Sequence, residues 1–600
     1  MRLKRLQRMA RSKACGWRQN VLAAVTPGMP AVMTRFLEPT PSISMDNTRL
    51  FLFAALVFVG MLLWQQWQAD YGLAPQTVSQ QQNRDNSSIG GVDIAVDDLP
   101  DLADSVAGKQ NQDSADVSTV ASGPSEQLVS VETDVLRVLI DTRGGVIRSI
   151  KLKKFPTSLD DPNDYLELVH SDNDSLHILQ SGLRNKESTA PTHHSIYRVD
   201  KTEYRLEQGQ DELVVPLYWN ENGIEVVKSY RFKPGNYLVD LKHEVRNQSQ
   251  QDWQASEYRQ IQRSRPLETS RLLYTYTGSV YYNEETKYEK VTFDDMEDSQ
   301  LKLESKGGWI AMIQHYFLSA WIPNQEETNL VYSIANTKRV PATYTIGLRS
   351  ANQVVAPGGS AEFSSQLFVG PKIVNRLEEI SPGLELTVDY GVLTFISKPL
   401  YWLLSWYHSF VGNWGVAIIL LTLTVKTLFY KLSETSYRSM AKMRKVSPRL
   451  KSLKERYGDD RQKMNQAMME LYKTEKINPM GGCLPILVQI PVFIALYWAL
   501  LESVDLRQAP FIFWIKDLSV MDPFYVLPIL MGISMVIQQR LNPPPPDPIQ
   551  AKIMMALPFV FTVFFAFFPS GLVLYWVVNN VLSITQQWII TRRIEAGASK

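Results

Sequence analysis

Across 600 residues the chain carries 62 lysines and arginines against 61 aspartates and glutamates, a net charge of +1, which gives no global electrostatic case for nucleic-acid binding. Its two cysteines, Cys15 and Cys483, lie at opposite ends of the chain, which argues against a disulfide framework or a zinc site, and the absence of a P-loop excludes nucleotide hydrolysis by that route. Apolar residues crowd into 50–67 and then into the last third after Trp414, so the chain reads as a membrane protein with a large polar middle.

Residues 1–44 form a basic extension, and nine lysines and arginines from Arg2 to Arg49 precede the first apolar run. A genuine extension and an upstream initiation codon both account for it. Residues 45–69 hold a run long enough to cross a bilayer, Leu50 to Trp64, with Trp67 at the far interface. It ends in Trp-Gln-Gln-Trp-Gln-Ala-Asp with no small-x-small cleavage site, so an uncleaved signal anchor with a cytoplasmic N-terminus is expected rather than a removed signal peptide. Residues 70–126 are rich in Gln, Asp, Ser and Gly and poor in aromatics, the composition of a flexible linker.

Residues 127–384 have β texture. Glu225–Phe232 and Tyr237–Val245 mix β-branched and aromatic residues, joined by Lys233-Pro-Gly-Asn236. Asn222-Gly223, Gly144-Gly145 and Pro357-Gly-Gly359 supply further turns. Many short strands predict a large antiparallel sandwich on the outer side of the membrane, big enough to bury its own core. His193-His194 reads as a surface pair rather than a metal site. Residues 385–412 predict an interfacial amphipathic helix, with Phe395, Ile396, Leu400, Leu403, Leu404 and Tyr407 on one face. Ser397, Lys398, Ser405 and His408 take the other, and Pro399 is placed to kink it.

The membrane core is expected over 413–592, with spans at 413–430, 484–501, 523–540, 553–568 and 572–590. Between the first two of these lies a cytoplasmic hairpin, 432–478. From Lys431 on, this loop carries thirteen basic residues against six acids. Met443, Val446, Leu450, Leu453 and Tyr457, then Met464, Met468 and Leu471, give the hairpin one apolar seam. A solvated charged hairpin and a landing surface for ribosome, lipid or nascent chain both fit it. The loop at 503–522 has only Arg507 and Lys516, and Arg592 and Arg593 follow the last span. Positive-inside then predicts six spans with both termini, including the tail 593–600, in the cytoplasm.

Lys426 stands alone among the apolar residues of Trp414–Tyr430. A charge at the centre of a span costs about 2.5–3.5 kcal/mol. Something polar must solvate it. One reading is a lysine snorkelling to the cytoplasmic interface, only about 6 Å away. The other is a functional charge facing a wet cavity. Thr422, Thr424, Gln489, Gln538, Gln539, Asn579, Gln586 and Gln587 are polar residues in or near the spans that line such a cavity if they share a face with Lys426. If they do not, they bond neighbouring helices.

Four stretches, Ser439–Arg444, Asn478-Pro-Met-Gly-Gly-Cys-Leu-Pro485, Leu506–Phe511 and Phe568-Pro-Ser-Gly-Leu-Val-Leu-Tyr575, resemble the YidC/Oxa/Alb membrane insertase family in its Gram-negative inner-membrane form. The resemblance extends over nearly everything from Met45 onward. It implies a mixed fold: an α-helical polytopic membrane core with six spans in all, five of them forming the insertase core, plus a large periplasmic antiparallel β-supersandwich. It also implies a positively charged groove open to cytoplasm and lipid but closed outward. The family's groove charge is usually an arginine, and the matching residue here is Lys426, which keeps the charge but loses the planar fork. Thr422 matches a position near substrate, and Tyr575 and Trp576 match aromatic positions that contact it. With Gln489 and Gln538 these are the candidate groove residues.

The resulting expectation is a membrane protein insertase and folding chaperone of the inner membrane, not an enzyme, with no cofactor and no metal. It acts alone or with the Sec translocon. Its expected partners are nascent membrane proteins, the ribosome, the signal recognition particle and its receptor, and membrane lipids, without sequence-specific nucleic-acid binding. The alternatives are a secondary transporter with Lys426 in its substrate or proton pathway, for which no inverted-repeat symmetry is visible, and a carbohydrate-binding outer domain on a passive anchor.

Overall fold

The computed structural model describes residues 127–172, 175–186, 188–266, 275–458, 460–475, 484–542 and 548–597. The extension 1–44, the anchor 45–69 and the linker 70–126 lie outside these residues, as do Cys15, Cys483 and most of the Asn478–Pro485 motif.

Two stacked sheets make up the β domain. Among the described residues one has eleven strands and the other eight. In the smaller sheet, Ile224–Phe232 pairs antiparallel with Leu238–Asn247, which pairs in turn with Ser360–Pro371. Side chains on a strand alternate between faces. Ile224, Val226, Lys228, Tyr230 and Phe232 are accordingly buried, while Glu225, Val227, Ser229 and Arg231 are only partly covered. The turn before this strand has Asn222 at φ +51° and Gly223 at φ +76°, the left-handed pair that a two-residue hairpin requires.

Trp253–Ser264 lies in the interior of the larger sheet, between Leu176–Arg184 and Thr343–Ser350. It is buried from Ala255 to its end although it contains Glu257, Arg259, Gln260, Gln262 and Arg263. Most of these groups are tied to neighbours. His243 Nδ1 lies 2.8 Å from Glu257 Oε1, Arg259 Nη1 lies 3.2 Å from Glu257 Oε2, and Arg259 Nη2 donates to Asn329 Oδ1 at 2.7 Å. Lys228 reaches inward from the smaller sheet and donates to the carbonyls of Gly144 (2.8 Å) and Ser181 (3.0 Å). Valine, isoleucine, leucine and tryptophan side chains, Trp309 and Trp321 among them, surround this polar knot. His193 departs from the surface position expected of it. It is buried, its Nδ1 lies 2.7 Å from the Tyr258 hydroxyl, and only His194 faces solvent.

Two short helices, α1 (Phe293–Asp298) and α2 (Val374–Ile380), belong to the β domain. The helical region follows with α3 (Thr394–Val411), α4 (Trp414–Leu428), α5 (Tyr430–Tyr457), α6 (Arg461–Thr474), α7 (Leu484–Leu501), α8 (Val526–Leu541), α9 (Pro548–Phe565) and α10 (Ser570–Gly597). Gly412, at φ +63°, closes α3, and the Asn413 side chain caps α4 by accepting from Val416 N. Asp522 Oδ2 accepts from Leu527 N in the first turn of α8 at 2.7 Å. Helix α10 packs on α4, α5 and α8, and α3 packs on α4 and α7. Among the described residues no single helix is long and apolar enough to cross a membrane, but α4 and α5 pass that test as a pair bent by 67°.

The faces of α3 differ from the expected pattern. Ser397, placed with the polar residues, is buried and donates to Ala495 O at 2.9 Å, while Phe395, Trp402, Trp406 and Phe410 are exposed. The helix uses one stripe to pack on α7 and presents aromatic residues outward, a pattern suited to lipid rather than water. In the α5–α6 hairpin the seam joins Met443, Val446 and Leu450 to Met468 and Tyr472. Tyr472 lies one turn after Met468 and takes the place expected of Leu471.

Candidate functional site

Lys426 occupies the last turn of α4 and is 7% exposed. Its Nζ donates to Ser583 Oγ on α10 at 2.8 Å, and Ser583 Oγ donates in turn to Asn579 O at 2.6 Å. Among the described residues no carboxylate lies within ion-pair distance of Lys426. A buried ammonium normally takes an anion or several strong acceptors. Here the hydroxyl leaves donor capacity unused, and the charge is uncompensated.

The face of α10 that meets Lys426 is polar along several turns. Asn580 Nδ2 donates to Ser534 Oγ of α8 at 3.0 Å. Gln587 Nε2 reaches Leu541 O and Asn542 Oδ1 at 3.3 and 3.1 Å. Asn579, Asn580, Ser583, Gln586 and Gln587 recur at three and four residues, so they share one side of the helix. Gln586 Nε2, Gln587 Oε1 and Trp576 Nε1 are buried without a hydrogen-bond partner among the described residues. Spare hydrogen-bonding capacity on the helix that meets Lys426 makes this a face suited to a polar guest.

The expected site residues separate into three groups. Thr422, one turn before Lys426, is buried and returns its hydroxyl to Ile418 O at 2.6 Å, so its hydrogen bond stays within its own helix. Tyr575 and Trp576 lie toward the other end of α10. Tyr575 stacks on Phe493 of α7 (centroids 6.1 Å, 19°), while Trp576 meets Phe493 edge-on at 4.8 Å and Phe565 of α9 at 5.5 Å. Gln489 and Gln538 are half-buried, and among the described hydrogen bonds neither reaches Lys426. Gln489 lies one turn from Phe493, and Gln538 one turn from Ser534. Thr424 faces elsewhere, with its hydroxyl 2.6 Å from that of Tyr407 on α3.

The sequence reading missed Ser583, the partner of Lys426, and the Asn580–Ser534 bond between α10 and α8. Their signal was the three-and-four spacing of small polar residues in the last apolar segment. Among the described residues, nothing at the site pairs a nucleophile with a base. It offers a cation, amides and hydroxyls next to aromatic faces, which bind and orient but break no bond.

Comparison with known families matches residues 128–403 to the YidC periplasmic domain and residues 406–597 to the 60Kd inner membrane protein family. The chain is 51% identical over 569 residues to the membrane protein insertase YidC of Thioalkalivibrio sulfidiphilus, covering 93% of this chain and 100% of the relative. It is 50% identical over 563 residues to that of Methylococcus capsulatus, with 93% and 100% covered. A crystal structure of an active YidC insertase with its first transmembrane domain resolved aligns over 77% of this chain and 92% of the other at 17% identity, with a TM-score of 0.37 that carries no weight here. On the two family models and these relatives, the chain belongs to the YidC family of membrane protein insertases.

Proposed function

We propose that the chain inserts nascent transmembrane segments into the bacterial inner membrane and assists their folding. It does this by offering Lys426 and the polar face of α10 to the hydrophilic part of the incoming chain. The observation that carries this reading is the buried Lys426 ammonium, held among the described residues by one neutral hydroxyl and no anion. An acidic or polar tail that enters beside it supplies the missing counter-charge, so the apolar barrier to that tail is lowered. The attached apolar helix then leaves sideways into lipid, driven by its own transfer free energy. Tyr575, Trp576 and Phe493 offer it an aromatic surface on the way. No covalent bond is made, and the membrane potential assists outward movement of an acidic tail.

On this reading the core comprises five spans over 413–592 with a cytoplasmic hairpin at 432–478, preceded by an anchor at 45–69 and an interfacial segment at 385–412. Both termini are cytoplasmic and residues 127–384 are periplasmic. Gln489 and Gln538 complete the groove. The Sec translocon, the ribosome and the signal recognition particle with its receptor act as partners that deliver or accept clients.

Photo-crosslinking a stalled ribosome–nascent chain to probes along α4 and α10 tests the proposal. Crosslinks should follow the faces bearing Lys426 and Tyr575. Labelling spread evenly around both helices would refute a defined groove. Solute uptake by the purified chain in vesicles would favour the transporter alternative instead.

A further inference from the structure

Helix α7 is shared between two hydrophobic cores. Near its outer end, Ala499 belongs to the β-domain core and Trp498 packs against it, while Leu496 and Leu500 belong to the helical core, with Phe493 packed on them. Just past the end of α7, Glu502 forms an ion pair with Lys372 of the β domain at 2.9 Å, the two side chains 5% and 3% exposed. Lys372 Nζ also donates to Thr387 O at 3.2 Å. His315, at a hairpin tip of the β domain, places Nε2 2.8 Å from Leu501 O. Burial pushes His315 below its ordinary range. The neutral ring carries its proton on Nε2, because only a donor can meet a carbonyl there. Five residues beyond Glu502, Arg507 Nη2 and its neighbour Gln508 Nε2 both donate to Pro156 O, at 2.7 and 2.9 Å.

We propose that the Lys372–Glu502 pair, backed by His315, is a latch through which the β domain sets the position of α7 and so of the aromatic group at Phe493. The inference rests on the insertase reading above and adds positioning residues to it. A buried pair is geometrically exacting, because misplacing either member leaves a desolvated charge without a partner. The pair therefore selects one docking register where apolar contacts between Trp498, Ala499 and the sandwich tolerate several. Glu502 lies nine residues beyond Phe493, about 13 Å along a helix, so a tilt at the latch displaces Phe493 against Tyr575 and Trp576. Lys426 sits on α4, which the latch does not touch.

The test uses the full chain with a photo-crosslinking residue at position 489 on α7 or at position 422 on α4, presented with a stalled nascent chain. In the parent both probes should crosslink the client. Glu502→Gln and Lys372→Met should each lower the yield at 489 by about threefold or more, with a smaller change at 422. The charge swap Lys372→Glu with Glu502→Lys should recover at least half of the loss. A purely stabilising pair would instead lower both probes in proportion to the amount of protein. Single variants that accumulate normally with an unchanged yield at 489 would overturn the latch, as would a swap no better than the singles. If the singles are degraded, Glu502→Asp decides. It keeps the charge but withdraws the carboxylate by one methylene, and an unchanged yield at 489 contradicts the proposal. A parent that crosslinks at neither position defeats the insertase reading and the latch with it, whereas effects absent only from the latch variants leave that reading intact.

Discussion

Two regions of this molecule bury charge in opposite ways. In the β domain, Glu257 sits between His243 and Arg259, and Arg259 is bonded to Asn329. Burial alone would raise the Glu257 carboxyl, but Arg259 and His243 outweigh it and hold it below the usual carboxylate range. In the helical region, Lys426 has a serine hydroxyl and, among the described residues, no anion. A charge that is paired at rest belongs to the architecture. A charge left short of partners is available to something that arrives. The contrast separates a charge satisfied by the architecture from one with spare capacity, without reference to position in the chain.

The largest expected effect breaks the paired side of this comparison. Glu257→Ala should destabilise the β domain by about 3–5 kcal/mol, since it leaves Arg259 buried without its counter-ion. Protease resistance of the full chain across a urea series measures it. A parent-like midpoint would mean that packing alone holds the sandwich together.

The unpaired side is tested through the client. Lys426→Arg should retain insertion. Lys426→Ala should slow clients with acidic outer tails by about two- to tenfold, and Lys426→Glu should be worse, since water in the groove weakens but does not abolish the interaction. Neutralising the tail acids of the same client should flatten the series. If tail charge makes no difference to the rank order, the electrostatic role of Lys426 is wrong and the lysine merely snorkels.

A smaller effect separates Lys228 from both. Burial pulls its ammonium down to about 7 from 10.5, although Glu257 opposes this. Between those values the unfolded chain holds a proton that the folded chain has released, so this group makes stability rise with pH, by less than about 1.4 kcal/mol per unit. Unfolding of the parent and of Lys228→Met should be compared between pH 7 and 9. The parent should gain stability relative to the variant as pH rises. Parallel curves would place the Lys228 proton outside this window.

The smallest effect concerns the hydroxyl. Ser583→Ala should change insertion of acidic-tailed clients less than about threefold and neutral-tailed clients hardly at all, because one hydrogen bond contributes about 1 kcal/mol and the client can replace it. Equal loss for both kinds of client would make Ser583 a packing residue of α10.

How much of this was legible depended on whether a pattern had one buried face or two. Ile224–Phe232 and Leu238–Asn247 could be read because their buried positions alternate and their turns carry Asn222-Gly223 and Pro234-Gly235. The hairpin seam at Met443, Val446 and Leu450 was legible for the same reason. Trp253–Ser264 was not, because a central strand covered on both faces shows no alternation, and its Glu, Arg and Gln residues suggest a surface. His193 hid likewise: a histidine pair next to a turn looks exposed until Tyr258 is seen to cover one member. At the site, Lys426 announced itself by charge, and the resemblance supplied Thr422, Tyr575 and Trp576. Ser583 and Asn580 escaped because a serine in an apolar helix carries no charge to mark it, and their partners on α4 and α8 are brought near only by the fold. Ser397 was misplaced because helical spacing shows which residues share a stripe but not which stripe the neighbouring helix occupies.

The division of α7 between two cores bears on modularity. An outer domain joined to its membrane region by a simple tether could be exchanged among relatives by cutting on either side of it. Here the outer end of α7 is a joint product of both regions: Ala499, Trp498 and Glu502 fit the sandwich, while Leu496 and Leu500 fit the bundle. A chimera that transplants residues 127–390 alone would set a foreign sandwich against these side chains. One that carries residues 495–508 along with it moves the matching surface too, so the functional border of the outer domain is discontinuous in sequence and includes a stretch more than a hundred residues beyond its last strand.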